Sequence, residues 1–380
     1  MKNIIILVFL FSFLTGKSQV EYKMISSTIL EAEREVKIQL PRNYKKNTHK
    51  SYPVFVVLDG DYLFEPVAGN VDYYSYWGEM PEAIVVGVNQ ISTRKADTKL
   101  DKENFFPSKS GADFFEFLGM ELLPLIDQTY RTVPFSIIVG HNITANLMNY
   151  YLLKPKPLFK AYINLSPDYA PGMQDQVYNA LADTEQKTWY YLATAAGDIE
   201  TLREQNQAMN AKLEKISNPL LHYYFNDFEE GTHYSLVGEA IPLALKNFFS
   251  IYKPIGEKEY KKLIDKEEDY IDFLTEKYES IEELYELDIN IRTEDFMTIA
   301  KAIEEKEKFE QYNDLAKLAE EHHPKTMLAN YFYGRFYEEI GRLRRAIKEY
   351  EKAYAKESVS YITVDLVLDK SEELKIKRDQ

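Results

Sequence analysis

The sequence predicts an α/β fold with a mostly parallel sheet, followed by an all-helical region. Three observations lead to this prediction. Short uninterrupted apolar runs recur along residues 20–252, helix-forming segments separate these runs, and the composition changes after residues 253–254. Apolar runs without polar alternation are typical of parallel strands, because helices cover both faces of such a sheet.

The predicted strands are apolar runs of five or six residues. They lie at residues 54–58, 83–88, 135–139, 161–165, 189–194 and 221–225. Residues 35–40 alternate between polar and apolar side chains instead, which is typical of an antiparallel edge strand. We expect the intervening helices at residues 111–130, 145–153, 199–216 and 235–252.

Beyond residue 252 the chain is rich in Glu and Lys and nearly free of Gly and Pro, and it contains a 34-residue repeat. The repeat resembles a tetratricopeptide repeat, in which small residues let two antiparallel helices approach closely. An amphipathic helical hairpin with chance spacing is the alternative. The matching positions are Gly334, Tyr337, Gly341, Ala346, Tyr350 and Ala353 in the second unit, and Ala300, Ile303, Tyr312, Ala316 and Ala319 in the first.

Residues 1–19 are typical of a secretory signal, which gives three segments: 1–19, 20–252 and 253–380. Lys2 supplies the positive start, and the apolar stretch 4–14 is too short to span a bilayer. We therefore expect a periplasmic or secreted protein that does not span the membrane. A buried N-terminal strand or helix is the alternative.

Composition excludes several classes of partner. The net charge of -15 argues against binding to nucleic acid or to an anionic membrane. The chain has no Cys, so it has neither a disulfide framework nor a lipidated cysteine. The six His are scattered without metal-ligand spacing, and no cofactor or metal is expected.

The segment Gly140-His141-Asn142-Ile143-Thr144 lies between the apolar run 135–139 and a predicted helix. This context matches the nucleophile elbow Gly-x-Ser-x-Gly, a tight strand-to-helix turn that lifts a serine oxygen above a parallel sheet. Asn142 stands where the serine would be. A carboxamide has no hydroxyl or thiol to deprotonate, so it cannot form an acyl intermediate.

Together with the elbow, five further segments resemble, in order, the putative-esterase family of α/β hydrolases, which includes siderophore esterases and esterase D. The ordered set is specific, and the resemblance covers residues 20–252. It implies an α/β-hydrolase fold. The segments are 57–60, 84–88 with Arg94 and Asp97, 111–117 with 121–124 and 130–131, 165–167, and 231–235.

The resemblance implies a catalytic triad, with a serine at the elbow, an acid after a later strand and a histidine last. His233 matches the histidine, and Asp198 matches the acid, with Glu200 as its substitute. Asn142 occupies the position of the nucleophile. In such a triad the histidine takes the proton of the serine, and the acid orients the imidazole.

The resemblance also implies where the rest of the pocket lies. The oxyanion hole would use the backbone N–H of Ile143 and one near Gly60 or Asp61. His141 would shape the pocket. Thr144 replaces a small residue of the elbow, and its branched side chain predicts a relaxed or repacked turn.

Three of these residues also have a purely structural interpretation. Asn142 can act as scaffold, because Asn tolerates unusual backbone angles better than most residues. Asp198 can cap the helix predicted from residue 199. His233 can be an ordinary hydrogen-bonded loop residue. The residues alone leave both interpretations open.

Three functions fit the sequence. We favour an exported, non-catalytic binding or scaffold component of an envelope assembly, with a small ester or glycan in the old pocket and a protein partner on the helical region. We expect the aromatic segment 73–77 near the pocket mouth. The second is an exported carboxylic-ester hydrolase, acting on siderophores or acyl esters, in which His233 activates water. In the third function, the helical region carries the activity, and the hydrolase domain only supports it structurally.

Overall fold

The computed structural model of the protein describes residues 20–266 and 269–380, so the predicted export signal lies outside the described residues. Eight strands form one sheet. In the described part of the chain, no helix combines the length and the apolar character needed to cross a bilayer. The strands are β1 (Val20–Ser27), β2 (Ala32–Gln39), β3 (Tyr52–Val57), β4 (Ile84–Val88), β5 (Thr132–His141), β6 (Ala161–Leu165), β7 (Thr188–Gly197) and β8 (Leu221–Thr232).

The strand order is β1-β2-β4-β3-β5-β6-β7-β8. The first two strands pair antiparallel, β2 pairs antiparallel with β4, and all later neighbours are parallel. The helices of this region are α1 (Phe64–Tyr76), α2 (Arg94–Asp97), α3 (Ser110–Glu116), α4 (Leu123–Thr129), α5 (Ile143–Asn149), α6 (Met173–Ala182), α7 (Glu200–Leu213) and α8 (Leu236–Phe248), with a π-helical turn Phe117–Leu122 joining α3 to α4.

Helices cover both faces of the sheet, as the apolar runs predict. In β3, Val54 and Val56 pack with residues of α3 to α7, whereas Phe55 and Val57 pack with α1 and α8 on the other face. Successive side chains of a strand point to opposite faces, so a strand buried on both sides must be apolar throughout. The predicted α/β-hydrolase fold, followed by a helical region, is confirmed.

The sheet differs from the prediction at one edge. The alternating segment 35–40 lies in β2, but the edge strand is β1, for which the sequence carries no clear pattern. Most of the residues of β1 are exposed or half-buried, and only Ile25 and Ser27 are buried. An edge strand with both faces partly open to water needs no regular alternation.

Helix α1 lies in a segment for which the sequence analysis predicts no helix. Its buried residues nevertheless have helical spacing: Phe64, Val67, Ala68 and Val71. It begins near the carboxyl end of β3 and must return to the amino end of the parallel strand β4. Its last turn therefore lies near the amino ends of the parallel strands, whereas the elbow lies at their carboxyl ends. The expectation that residues 73–77 lie at the pocket mouth is wrong.

The C-terminal region is entirely helical apart from its connections. Its packing against the sheet centres on Tyr285, whose ring contacts Phe135, Trp189 and Phe249 and whose hydroxyl donates to the Phe248 carbonyl at 2.7 Å. The helices are α9 (Glu257–Lys266), α10 (Tyr270–Tyr285), α11 (Thr293–Glu305), α12 (Tyr312–His322), α13 (Leu328–Glu339), α14 (Leu343–Ala353) and α15 (Val364–Asp379).

Successive helices of this region pack against one another, and small residues lie at the contacts. Ala316 and Ala346 are fully buried. A Cβ atom at Gly334 of α13 would lie 2.4 Å from the ring of Tyr350 in α14, a residue that is itself fully buried. Only a glycine therefore permits this helix–helix distance. The tetratricopeptide character of the region stays a prediction.

We expect Gly334→Ala to destabilise the helical region by about 1–3 kcal/mol, because the buried Tyr350 ring cannot move aside without strain. Gly69→Ala in α1 is the matched control, since its Cβ would meet nothing within 4 Å. The control should be neutral or stabilising, as expected for Gly to Ala in a helix. Urea denaturation followed by circular dichroism measures both, and equal stability of the two variants would contradict this packing argument.

Candidate active site

Three strand ends bring the predicted site residues together. Asn142 follows β5, Asp198 follows β7 and His233 follows β8. Because these strands are parallel, their carboxyl ends meet at one edge of the sheet, where open α/β sheets place their binding crevices.

The turn at Asn142 keeps the strained geometry of a nucleophile elbow. Asn142 has φ 60° and ψ -119°, and α5 begins at the next residue. A Cβ atom at Gly140 would lie 2.8 Å from the Ala145 nitrogen, so the strand and the helix approach closely. Of the two outcomes predicted for Thr144, a relaxed turn is therefore wrong, and the contacts of its hydroxyl correspond to a repacked one. Thr144 is accommodated because its hydroxyl accepts from the His141 N–H at 3.0 Å and lies 2.7 Å from a carboxylate oxygen of Asp59.

The Asn142 carboxamide bonds to its own next residue. Its Oδ1 accepts a hydrogen bond from the Ile143 N–H at 2.8 Å. The Gly60 N–H donates to the Val88 carbonyl at 2.8 Å, so Gly60 cannot supply an oxyanion donor. Within the residues described, the Asp61 N–H has no acceptor. Two of the three predicted oxyanion positions are thus already engaged.

His233 and Asp198 form a hydrogen-bonded pair. The distance from His233 Nδ1 to Asp198 Oδ1 is 2.7 Å, and Nδ1 must carry the proton because a carboxylate only accepts. The Thr194 hydroxyl and the Ile199 N–H also donate to Asp198, each at 2.8 Å. Asp198 therefore orients the imidazole, but the prediction that it caps α7 is wrong, because the N-cap residue is Ile199, which makes no side-chain capping bond. Glu200 lies exposed in the first turn of α7.

Burial opposes ionisation of Asp198, but hydrogen bonds outweigh this effect. The donors, of which His233 contributes most, lower the pKa of Asp198 below its usual value. Asp168, whose N–H donates to the Asn142 carbonyl at 3.2 Å, behaves in the opposite way, since burial raises its pKa. The hydrogen bonds around Asp198 thus stabilise the charged form of the carboxylate that faces His233 Nδ1.

Ser166 lies near the pair but on the wrong side for nucleophilic attack. Its Oγ is 3.3 Å from His233 Nδ1, the nitrogen that already faces Asp198. A triad serine would instead face Nε2, which takes the proton. Across the described residues, His233 Nε2 has no hydrogen-bond partner. Ser166 also has a positive φ of 44°, which marks the end of β6 as a second strained turn.

His141 is buried beneath the elbow in a neutral form. Its Nε2 lies 3.0 Å from the His233 carbonyl, and its Nδ1 lies 3.0 Å from the Tyr62 hydroxyl. Burial lowers the pKa of His141 to about 4, with a smaller contribution from His233. A neutral ring that donates from Nε2 to a carbonyl fixes the loop carrying His233.

Asp59 and Arg94 support the same turn from below. The Arg94 guanidinium binds both carboxylate oxygens of Asp59, at 2.6 Å and 3.1 Å, and also donates to the His141 carbonyl at 2.9 Å. The Tyr62 hydroxyl lies 3.0 Å from Asp59 and equally far from His141 Nδ1, so its single proton serves only one of these two acceptors at a time. Asp59 is almost fully buried and has φ 52°. Its charge is balanced by Arg94, as a buried carboxylate requires.

Comparison with known proteins identifies the family. Residues 27–234, more than half of the chain, match the family described as putative esterase. The chain belongs to the putative esterase family. No curated protein matches it.

Two solved structures are similar to this chain. An uncharacterised protein from Capnocytophaga ochracea is 31% identical with a TM-score of 0.85, and the match covers 94% of this chain and 100% of that one. A match of that extent includes the helical region as well. An IroE-like serine hydrolase from Shewanella oneidensis, 19% identical with a TM-score of 0.61, covers 79% of this chain and 98% of its own and shares the fold.

Three further residues belong to the site of this esterase-family chain, and the residue pattern does not single them out. Tyr62 contacts His141, and Tyr234 contacts His233. Asp59 accepts a hydrogen bond from the Thr144 hydroxyl of the elbow. Their proximity to Asn142 follows from the parallel pairing of strands, which a residue pattern does not specify. Asp59 and Tyr234 lie within segments 57–60 and 231–235, whose resemblance to the family was the signal that could have identified them. Among the described residues, no group of three or more His, Asp or Glu could hold a metal ion.

We expect the esterase-family site to make the protein acid-sensitive through His141. An unfolded histidine binds its proton below a pKa of about 6.5, whereas the folded one does so only below about 4. Between these values the unfolded state binds more protons, so stability falls as the pH drops from 6.5 to 4, by up to about 3 kcal/mol.

Urea denaturation at several pH values tests this expectation. His141→Gln should lose less stability than wild type between pH 6.5 and 4. His49→Gln, at an exposed histidine, is the control and should follow the wild-type pH dependence. Parallel curves for wild type and His141→Gln would show that His141 is protonated equally in both states.

Proposed function

We propose that this protein is a catalytically silent member of the putative esterase family, exported, whose former active site binds a ligand and whose helical region binds a protein partner in an envelope assembly. The observation that carries the proposal is the elbow. Asn142 holds the strained backbone of a nucleophile but has no nucleophilic atom.

The Asn142 carboxamide also occupies a hydrogen-bond donor of the oxyanion hole. Its Oδ1 occupies the Ile143 N–H, one of the two donors that would stabilise a tetrahedral oxyanion. Loss of a single oxyanion-hole donor costs about 100- to 1,000-fold in turnover. One substitution therefore removes the nucleophile and weakens the oxyanion hole at once.

The surroundings of the elbow favour a ligand with apolar surface. Four large, exposed apolar or aromatic side chains follow four different strands around the site. Tyr62 touches His141, and Tyr234 packs edge-on against His233 with ring centres 5.1 Å apart. The Ile91 and Ile199 backbones bond to Asp61 and Asp198. The exposed fractions are 43% for Tyr62, 84% for Ile91, 50% for Ile199 and 79% for Tyr234.

Such a rim suits a small acyl or aromatic ester. We expect saturating p-nitrophenyl butyrate to stabilise wild type against heat, by about 1.4 kcal/mol at ten times its dissociation constant. Tyr234→Ala should reduce this stabilisation. Tyr22→Ala, an exposed tyrosine on β1, is the control and should leave it unchanged. Equal stabilisation of all three proteins would place the ligand elsewhere.

The alternative is an exported carboxylic-ester hydrolase, such as a siderophore or acyl esterase, with an atypical mechanism. The hydrogen-bonded pair of Asp198 and His233 favours it, because an oriented imidazole with a free Nε2 can act as a general base on water. The Asp61 N–H would then be the remaining oxyanion donor. Without a serine, such turnover would be weak.

Hydrolysis of p-nitrophenyl acetate and butyrate separates the two functions. We expect wild type at background and Asn142→Ser at least about a hundredfold above it, since the serine restores the nucleophile and frees the Ile143 N–H. The double variant Asn142→Ser/His233→Ala should return to background.

Asn142→Ala is the matched control. It frees the Ile143 N–H without adding a nucleophile, so it separates the two effects of the serine. Turnover by wild type that His233→Ala abolishes would contradict the silent-site proposal and support the hydrolase. A gain in Asn142→Ser that does not need His233 would mean that the histidine is not positioned as a base.

A further inference from the structure

Five cations surround one cavity at the end of the helical region. Arg342, Arg344 and Arg345 lie at the start of α14, and Lys377 and Arg378 lie near the end of α15. We refer to these five residues as the basic cluster. Together with Gly341 and Leu343 they line a cavity of about 480 Å³. Helix packing thus gathers positive charge from two separate segments into one concave surface.

Most of this charge is uncompensated. In the part of the chain that the structure describes, Arg342, Arg344 and Lys377 form no ion pair. Arg345 lies over the ring of Tyr337. Arg378 pairs with its neighbour Asp379 at 2.8 Å, and among the residues that the structure describes this is the one carboxylate side chain bonded to the cluster.

Elsewhere on the same two helices, three of the four cations in the described residues are paired. Lys375 of α15 binds Glu372 at 2.8 Å and Glu351 of α14 at 3.1 Å. Lys370 binds Glu338 at 3.2 Å, and Lys352 binds Glu349 at 2.6 Å. Unpaired positive charge is therefore concentrated in the basic cluster.

The contrast is sharper because the chain is acidic. It has 61 Asp and Glu against 46 Lys and Arg, so carboxylates are the more abundant group. Like charges that share one concave surface repel each other, and an anion that enters the surface relieves this repulsion. The free protein is thus charge-complementary to an acidic ligand at this cavity.

We propose that the basic cluster binds an acidic peptide segment of a partner protein. Arginine suits this role, because its planar guanidinium binds carboxylates through two parallel hydrogen bonds. A long polyanion such as nucleic acid, or an anionic membrane, would also face the remaining surface of a chain with net charge -15 and be repelled. A short acidic segment contacts the cluster alone.

The proposal names the chemistry of the partner and rests on the proposed partner-binding role of the helical region. It involves no residue of the elbow. The basic cluster can therefore fail to bind while the hydrolase domain is still silent, and the ester assays above are independent of it.

Fluorescence anisotropy of a labelled oligo-glutamate peptide with the full chain tests the proposal. We expect binding that weakens with salt and that Arg342→Glu/Arg344→Glu weakens by at least about tenfold. Lys45→Glu/Lys46→Glu, at two exposed lysines in the loop after β2, makes the same change in net charge and should have less than about a twofold effect.

Arg342→Ala/Arg344→Ala provides a second, milder variant, and circular dichroism checks that every variant is folded. Absence of binding by wild type would overturn the proposal. So would an equal loss in the lysine variant, since net charge alone would then explain the binding. Tighter binding to phosphatidylglycerol vesicles or to single-stranded DNA than to the peptide would also overturn it.

Discussion

The buried carboxylate of Asp59 ties three parts of the chain to the elbow. It lies at the end of β3 and contacts Arg94 from the α2 segment, Thr144 from α5 and Tyr62 from its own loop. Arg94 extends the network to the His141 carbonyl. A buried charge is tolerated only when it is paired and hydrogen-bonded. This requirement holds the ends of β3 and β5 in register, and the strained turn at Asn142 depends on that rigidity.

The residues that orient the His233 imidazole are distinct from the residue at the elbow. The Asp198 carboxylate, which accepts from the His233 ring and from the Ile199 N–H, keeps the arrangement that orients a general base. At the elbow stands the Asn142 carboxamide, whose oxygen accepts from the next backbone N–H. A polar side-chain atom near a buried turn is costly when it lacks a partner. Under the proposed function, the same hydrogen bond that stabilises Asn142 also keeps the oxyanion donor occupied.

The two regions meet far from the elbow. Tyr285 packs against Phe135 and Trp189, which lie near the amino ends of their strands. The candidate site lies at the carboxyl ends. The helical region can therefore bind a partner without covering the pocket, and the rim around Tyr234 stays open. In the proposed function, ligand and partner occupy separate surfaces, and the aromatic contacts of Tyr285 join the helical region to the sheet.

The apolar runs were enough to predict the fold class, because residues buried on both faces of a strand must be apolar. The local pattern also indicated Asn142 at the elbow, and the family resemblance indicated Asp198 and His233. Contacts in the folded chain were needed to show that Asp198 rather than Glu200 faces His233, and that the Gly60 N–H is engaged. These outcomes depend on contacts between distant segments, which no local pattern specifies.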